Sequence, residues 1–219
     1  PALIKAGFEH RSSAELLNLL RHPDFRIRLR AQLALTRKDD ALKRLTTASE
    51  STNEMVRRHG IWGLGILLRR GGAVLPGTQF AKLPSLPDQS AAEKQLVKLA
   101  GDGSAAIRMQ AIRALVDAGA GSANLPLAVW LADDSRRVRL FAALLAGKRK
   151  AISYYGPVCD MLRENDDRDP YLRHAGAYAL QRMVSGRRAR RAALGHIFGR
   201  AARCRDRAAR TACAGRFAV

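Results

Sequence analysis

The chain has 219 residues, of which 47% are hydrophobic and only 5% aromatic, with three cysteines and a formal charge of +20. So few aromatic side chains beside abundant alanine and leucine suit closely packed helices and disfavour a sheet-rich fold. Three scattered cysteines, Cys159, Cys204 and Cys213, exclude a disulfide framework or a cysteine zinc site, and no apolar run reaches the roughly 18 residues that cross a bilayer. The charge by itself points to nucleic acid or another anionic surface. Its distribution weakens that pointer, because residues 186–219 hold ten arginines, one acid and no lysine, or +9 of the +20. The opening Pro1-Ala2-Leu3-Ile4-Lys5 has neither an initiator Met nor a signal-peptide core, so the expectation is an internal segment of a larger protein.

A first pair of helices is predicted over residues 13–21 and 24–37. Leu16, Leu17, Leu19 and Leu20 supply the apolar face of one, and Ile27, Ala31, Ala34 and Leu35 that of the other, at the spacing of a helical stripe. Between them His22-Pro23-Asp24 reads as a tight turn, since proline disfavours helical geometry in the residue before it and Asp caps the second helix. The second pair covers residues 40–70 and contains His59-Gly60-Ile61-Trp62-Gly63-Leu64-Gly65. Three glycines inside one helix cost roughly 1 kcal/mol each relative to alanine. Close approach of a neighbouring helix at Gly60 and Gly63 is the expected compensation, with Trp62 filling the next gap in the core. The spacing is not that of a dinucleotide-binding glycine loop.

Residues 71–89, rich in proline and glycine, are predicted as an inserted loop, with Phe80 and Leu83 as candidates to dock it. Further pairs are predicted over residues 90–118, 124–148 and 153–184. Trp130, Leu131, Val138, Phe141 and Leu145 are candidate core in one, and Val158, Met161, Leu162, Leu172 and Leu180 in the next. Pro126, Pro157 and Pro170 stand near helix starts, where a missing amide is tolerated. Beyond Ser185 the pattern decays, and three readings stay open for residues 186–219: a basic Arg/Ala-rich tail, a degenerate repeat, or an out-of-frame segment.

One helix is in effect written five times. Asp24, Asn53, Ser104, Ser135 and Asp169 are each an N-cap type of residue, followed three positions later by Ile27-Arg28, Val56-Arg57, Ile107-Arg108, Val138-Arg139 and Leu172-Arg173. A small residue comes four positions after each aliphatic: Ala31, Gly60, Ala111, Ala142 and Gly176. The aliphatic-arginine pairs are 29, 51, 31 and 34 positions apart, the long interval being the one that holds the insertion. Such repetition predicts an all-α fold, a right-handed α-solenoid of about five two-helix units over residues 1–185, which presents a surface rather than a buried catalytic pocket.

The aliphatic-arginine helices resemble HEAT repeats in their short bacterial form. More specifically, several strings look like the HEAT region of large bacterial membrane-bound dehydrogenases. These are Lys5-Ala6-Gly7-Phe8-Glu9-His10-Arg11-Ser12 leading into residues 16–24, His59 to Gly65, Val138-Arg139-Leu140-Phe141-Ala142-Ala143, and Arg163 to Gly176. Such proteins have a glucose/sorbosone-dehydrogenase-like β-propeller, then HEAT repeats, then usually a cytochrome c domain. The resemblance implies that oxidation chemistry, quinone-type cofactor and haem belong to domains outside this chain. It brings no catalytic residue or cofactor here. It implies a scaffold contacting a protein partner or neighbouring domains of the same polypeptide, in a periplasmic or membrane-associated setting.

The arginines Arg28, Arg57, Arg108, Arg139 and Arg173 share one repeat position. The expected role is a ladder in which each guanidinium bridges carboxylates and turn carbonyls of adjacent units, with Asp102, Asp133, Asp134, Asp166 and Asp167 at the matching turns; a phosphate-binding stripe is the sharper alternative. Asn165-Asp166-Asp167-Arg168-Asp169 lacks the glycine and terminal Glu of a calcium loop. The five histidines show no metal-ligand spacing, though His22 and His174 lie near turns as candidate hydrogen-bonded repeat features. No nucleophile elbow or phosphate loop occurs. The expectation is a non-catalytic interaction scaffold; the rival is a basic HEAT-like nucleic-acid binder.

Overall fold

A computed structural model describes residues 2–70, 86–119 and 125–184. The described residues form α-helices and one 3-10 turn, with no strand among them. The chain divides into two compact units, residues 1–125 and 126–219.

In the first unit α1 (Ala2–Lys5) precedes α2 (Ser13–Leu19) and α3 (Phe25–Leu35), then α4 (Ala41–Ser49) and α5 (Glu54–Arg70), then α6 (Leu86–Leu99) and α7 (Ala105–Ala118). Each even-numbered helix packs on the odd-numbered one after it, and α5 packs also on α3 and α7. Local chemistry starts these helices. Ser12 and Glu15 form a capping box before α2, the Ser12 hydroxyl accepting the Glu15 amide and the Glu15 carboxylate accepting the Ser12 amide at 2.8 Å. Leu16, Leu20, Ile27, Ala31, Ala34 and Leu35 are buried, whereas Leu17 and Leu19 are only half-buried, because a helix this short turns a single face to its neighbours. The insertion predicted over residues 71–89 ends sooner than expected. Helix α6 begins at Leu86 with Pro87 in its first turn, where the absent amide would have had no helical partner. Residues 71–85, with Phe80 and Leu83, lie outside the described residues.

The small residue of each second helix is buried against a neighbour. A Cβ built at Gly60 would lie 2.8 Å from the Ala48 carbonyl carbon and from Ser49 Cα, so the α5 and α4 backbones touch there. One at Gly63 would strike the Leu45 side chain. Gly65 meets α7 more loosely, its Cβ position lying 3.1 Å from Ala114 Cβ. Trp62 corrects the expectation that it fills the core: it is 37% exposed on the outer face of α5.

The second unit contains α8 (Leu127–Leu131), α9 (Arg136–Lys148), a 3-10 turn (Ile152–Tyr154), α10 (Tyr155–Asn165) and α11 (Pro170–Met183). Helix α11 packs on α9 and α10, and α8 on α9 and α10. Trp130, Leu131, Val138, Leu145, Val158, Met161 and Leu172 are buried, while Phe141, Leu162 and Leu180 are half-buried. Close contact again falls on glycines. A Cβ at Gly147 would lie 2.8 Å from Ala179 Cα, and one at Gly176 would lie 2.6 Å from Leu162 Cδ2. Pro126 occupies the N-cap of α8, Pro157 the first turn of α10 and Pro170 the first position of α11. Residues 186–219, with Cys204, Cys213 and the helix expected over 188–198, lie outside the described residues.

Because backbone rather than a flexible side chain faces Gly60, Gly60→Ala should destabilise by roughly 1–3 kcal/mol despite alanine's better helix propensity. Gly65→Ala, facing another methyl at 3.1 Å, should change stability by less than about 1 kcal/mol. Urea unfolding of both variants checks this. Equal stability of Gly60→Ala and wild type would contradict the close contact.

Candidate functional site

The repeat residues converge on the turns that deliver the second helices. In four turns a side chain two residues before the cap accepts the cap's own amide. Asp24 N donates to His22 Nδ1 at 3.0 Å, Asn53 N to Ser51 Oγ at 3.2 Å, Ser104 N to Asp102 Oδ1 at 2.8 Å, and Ser135 N to Asp133 Oδ1 at 2.8 Å. In the fifth, Asn165 reaches four residues ahead, accepting Asp169 N at 3.2 Å and donating to its carbonyl at 3.0 Å. Sequence patterning places His22, Asp102 and Asp133 at turns without their shared role and misses Ser51, because the identity of the position changes from His to Ser to Asp. Only its chemistry, a short acceptor, is constant.

The caps themselves divide. Asp24 accepts the Arg26 amide at 2.8 Å, Asn53 those of Met55 and Val56 at 3.0 and 3.2 Å, and Asp169 those of Tyr171 and Leu172 at 2.9 and 3.1 Å. Ser104 and Ser135 stand at the N-cap positions of α7 and α9, but their side chains make no capping bond. This corrects the expectation of five side-chain caps. At these two turns Asp102 and Asp133 supply the closing bond instead.

The arginines meet the ladder expectation in part: turn carbonyls are bonded as expected, but three of the five bond those of their own turn. Nη1 of Arg28 donates to the carbonyls of His22 and Pro23 at 2.7 and 2.6 Å. Nη1 of Arg108 donates to those of Asp102 and Gly103 at 2.9 and 3.2 Å, and Nη1 of Arg139 to those of Asp133 and Asp134 at 2.5 and 3.3 Å. These three grip the turn just before their own helix, and Arg28 also reaches the next pair, its Nε donating to His59 Nε2 at 3.3 Å. Arg57 bridges pairs as expected, bonding the Ser49 carbonyl at 3.2 Å through Nε and the Asp102 carboxylate through Nη2. Arg173 departs. It is exposed, 3.5 Å from Asp167 Oδ1, and Arg168 bonds the Glu164 and Asn165 carbonyls at that turn. Asp166 and Asp167 are left-handed there, with φ of 46° and 55°.

Asp102 and His59 tie helices of the first unit together. Burial would raise the Asp102 carboxyl, but hydrogen bonds from Arg57 and the Ser104 amide, with the charges of Arg57 and Arg108, more than offset it and hold it below the ordinary aspartate value. His59 is buried, with Nδ1 2.7 Å from Gln32 Oε1 and Nε2 3.3 Å from Arg28 Nε. Arginine only donates, so Nε2 accepts and Nδ1 carries the hydrogen to Gln32. Burial, and secondarily the Arg28 charge, push this imidazole down to about 4. His174, by contrast, is exposed.

The outer faces of the second helices carry different chemistry. Phe25, Leu29 and Leu33 recur every four residues on α3 and are all exposed, as are Met55 and Trp62 on α5. The Trp62 indole stands edge-on to His59 with centroids 5.1 Å apart and donates to Gln110 Oε1 of α7 at 2.9 Å. With Ile66, Arg69, Arg113 and Asp117 it borders an open groove of about 440 Å³ over Gly65 and Ala114. Among the described residues no group of three or more His, Cys, Asp or Glu could hold a metal ion, and no helix is long and apolar enough to cross a membrane.

No model of a known protein family matches the chain, and no curated protein matches it. Among solved structures it is similar to an engineered protein, a target of the Northeast Structural Genomics Consortium, at 21% identity and a TM-score of 0.51 over 84% of each chain. A second engineered protein from the same consortium aligns at 19% identity and a TM-score of 0.48 over 79% of each chain. The first likeness concerns the fold alone.

Asp102→Ala, which strips a charged acceptor from both Arg57 and the Ser104 amide, should cost roughly 2–3 kcal/mol, whereas Asp167→Ala, at an exposed pair, should cost under about 1 kcal/mol; comparable losses in urea unfolding would refute the turn assignment. His59 binds its proton more weakly folded than unfolded, so its contribution is neutral at higher pH. Stability should fall by up to about 3 kcal/mol as pH drops from 6.5 towards 4. An NMR titration of His59 should give a midpoint near 4, and one near 6.5 would contradict its burial.

Proposed function

We propose that the chain is a non-catalytic protein-interaction scaffold, a right-handed α-solenoid of HEAT-like pairs that positions neighbouring domains or a protein partner. The observation that carries this reading is the row of exposed apolar side chains on the second helices of the first unit, Phe25, Leu29, Leu33, Met55 and Trp62. Large apolar side chains gathered on one face of a folded unit mark contact surfaces. The recurring arginines and caps fit the same reading, because their donors and acceptors serve turns and are not aimed together into a cleft. The family resemblance suggests the neighbours: a dehydrogenase propeller on one side and an electron-accepting cytochrome domain on the other, in an extracytoplasmic setting.

The nucleic-acid reading rests on the +20 charge, nearly half of it in residues 186–219. A chain ending at Ser185, checked for helicity by circular dichroism, separates the two. A scaffold keeps its fold and shows no steep salt-dependent affinity for duplex DNA. Tight DNA binding with a steep salt slope by that chain would favour the rival. The full chain should also show no turnover of sugars with an artificial electron acceptor, and measurable turnover would overturn the scaffold reading.

A further inference from the structure

The three odd-numbered helices α3, α5 and α7 of the first unit combine two features on one face. One is a set of exposed apolar side chains, Phe25, Leu29 and Leu33 on α3 and Met55 and Trp62 on α5, where Trp62 stands six residues after Val56 as Leu33 does after Ile27, at the same repeat position. The other is an excess of guanidinium. Helix α3 contains no carboxylate, α5 contains only Glu54 and α7 only Asp117. Arg26 is tied to Asp24 at 2.7 Å, Arg58 to Glu54, and Arg113 to Asp117 at 3.7 Å. Arg30 and Arg69 are exposed beyond those pairs. Exposed apolar side chains and guanidinium therefore occur together on these helices, with Trp62, Arg69 and Arg113 bordering one groove.

We propose that this face docks an acidic amphipathic helix of a partner protein, its apolar stripe laid against Leu29, Leu33 and Trp62 and its carboxylates beside Arg30, Arg69 and Arg113. The proposal rests on the scaffold reading and narrows its partner. The helical form of the partner is dictated by the backbone. An all-helical face has no free strand edge, so an extended peptide would gain no ladder of main-chain bonds, whereas a helix satisfies its own amides and brings only side chains. The pitch also agrees. Residues four apart on α3 advance about 6 Å along the helix axis, the same step as the i, i+4 anchors of an incoming helix. The acidic sign comes from charge complementarity, since a basic partner would meet guanidinium without enough carboxylate to pair it. Tryptophan and arginine bordering one groove are side chains that commonly dominate binding energy at an interface.

The test is selection of binders to the full chain from a displayed library of peptides about 18 residues long, above the length at which isolated helices are marginal. Apolar heptad positions are drawn from Leu, Ile, Phe and Met, and the remainder from Glu, Lys, Gln and Ala. The expected result is enrichment of Glu over Lys, with affinity for a selected peptide falling about tenfold or more on Leu29→Asp or Arg69→Glu. Tyr171→Ala, an exposed aromatic in the second unit, should leave that affinity unchanged, and circular dichroism should show all variants folded. Enrichment of Lys, no enrichment, or affinity indifferent to both first-unit variants would overturn the proposal. Displacement of the peptide by duplex DNA would also overturn it, in favour of a nucleic-acid face. Enrichment of Lys-rich helices would sink the acidic partner and leave the scaffold reading standing, whereas sugar turnover by the full chain would sink the scaffold reading whatever the peptides do.

Discussion

A helix can lie flat against its neighbours only if the tight turn that delivers it has no polar backbone group left without a partner, because each such group withheld from water costs about 1–3 kcal/mol. In this chain that constraint is met by side chains from both sides of the turn. A short acceptor before the cap takes the cap's amide, and the arginine four residues after the cap takes the carbonyls: His22 with Arg28, Asp102 with Arg108, Asp133 with Arg139. The turn is closed before any apolar packing is counted. Packing can then be close, which is why glycine is buried against a first helix at Gly60 and Gly176.

The same arrangement decides what the chain can do. Arg28, Arg57, Arg108 and Arg139, which could otherwise join a cationic stripe, are engaged by carbonyls and by Asp102, which speaks against a phosphate cradle at those four positions. The residues proposed to meet a partner, Phe25 and Trp62 among them, stand exposed on the second helices. Proposed function and local structure are thus linked by division of labour: some side chains of the second helices close turns and core, and others are open to contact.

Much of the fold was legible because it depends on periodicity. Five occurrences of one helix located α3, α5, α7, α9 and α11, and the buried Ile27, Ile107, Val138 and Leu172 follow from a 3.6-residue stripe. The illegible part depends on where side chains end rather than where they start. Trp62 reads as core by its size, yet its indole needs a hydrogen-bond partner and finds Gln110 on the surface. Ser104 and Ser135 read as caps by type, yet aspartates two residues earlier close those turns. His59 carried no spacing signal at all, since its partners Gln32 and Arg28 are 27 and 31 residues away. The exposed ridge of Phe25, Leu29 and Leu33 was hidden by the second stripe of the same helix, because periodicity marks apolar faces without saying which one is covered.

Closure of the turns by these side chains in solution is the point on which fold and proposed surface both depend. Native-state amide hydrogen exchange at Asp24, Ser104 and Ser135 measures it directly, because each of these amides bonds to the side chain two residues before it in the turn. Closed turns predict protection comparable to that of the following helix interiors, lost only when the helices themselves open. Exchange of these amides at the rate of an unstructured chain, while α7 and α9 stay protected, would contradict turn closure.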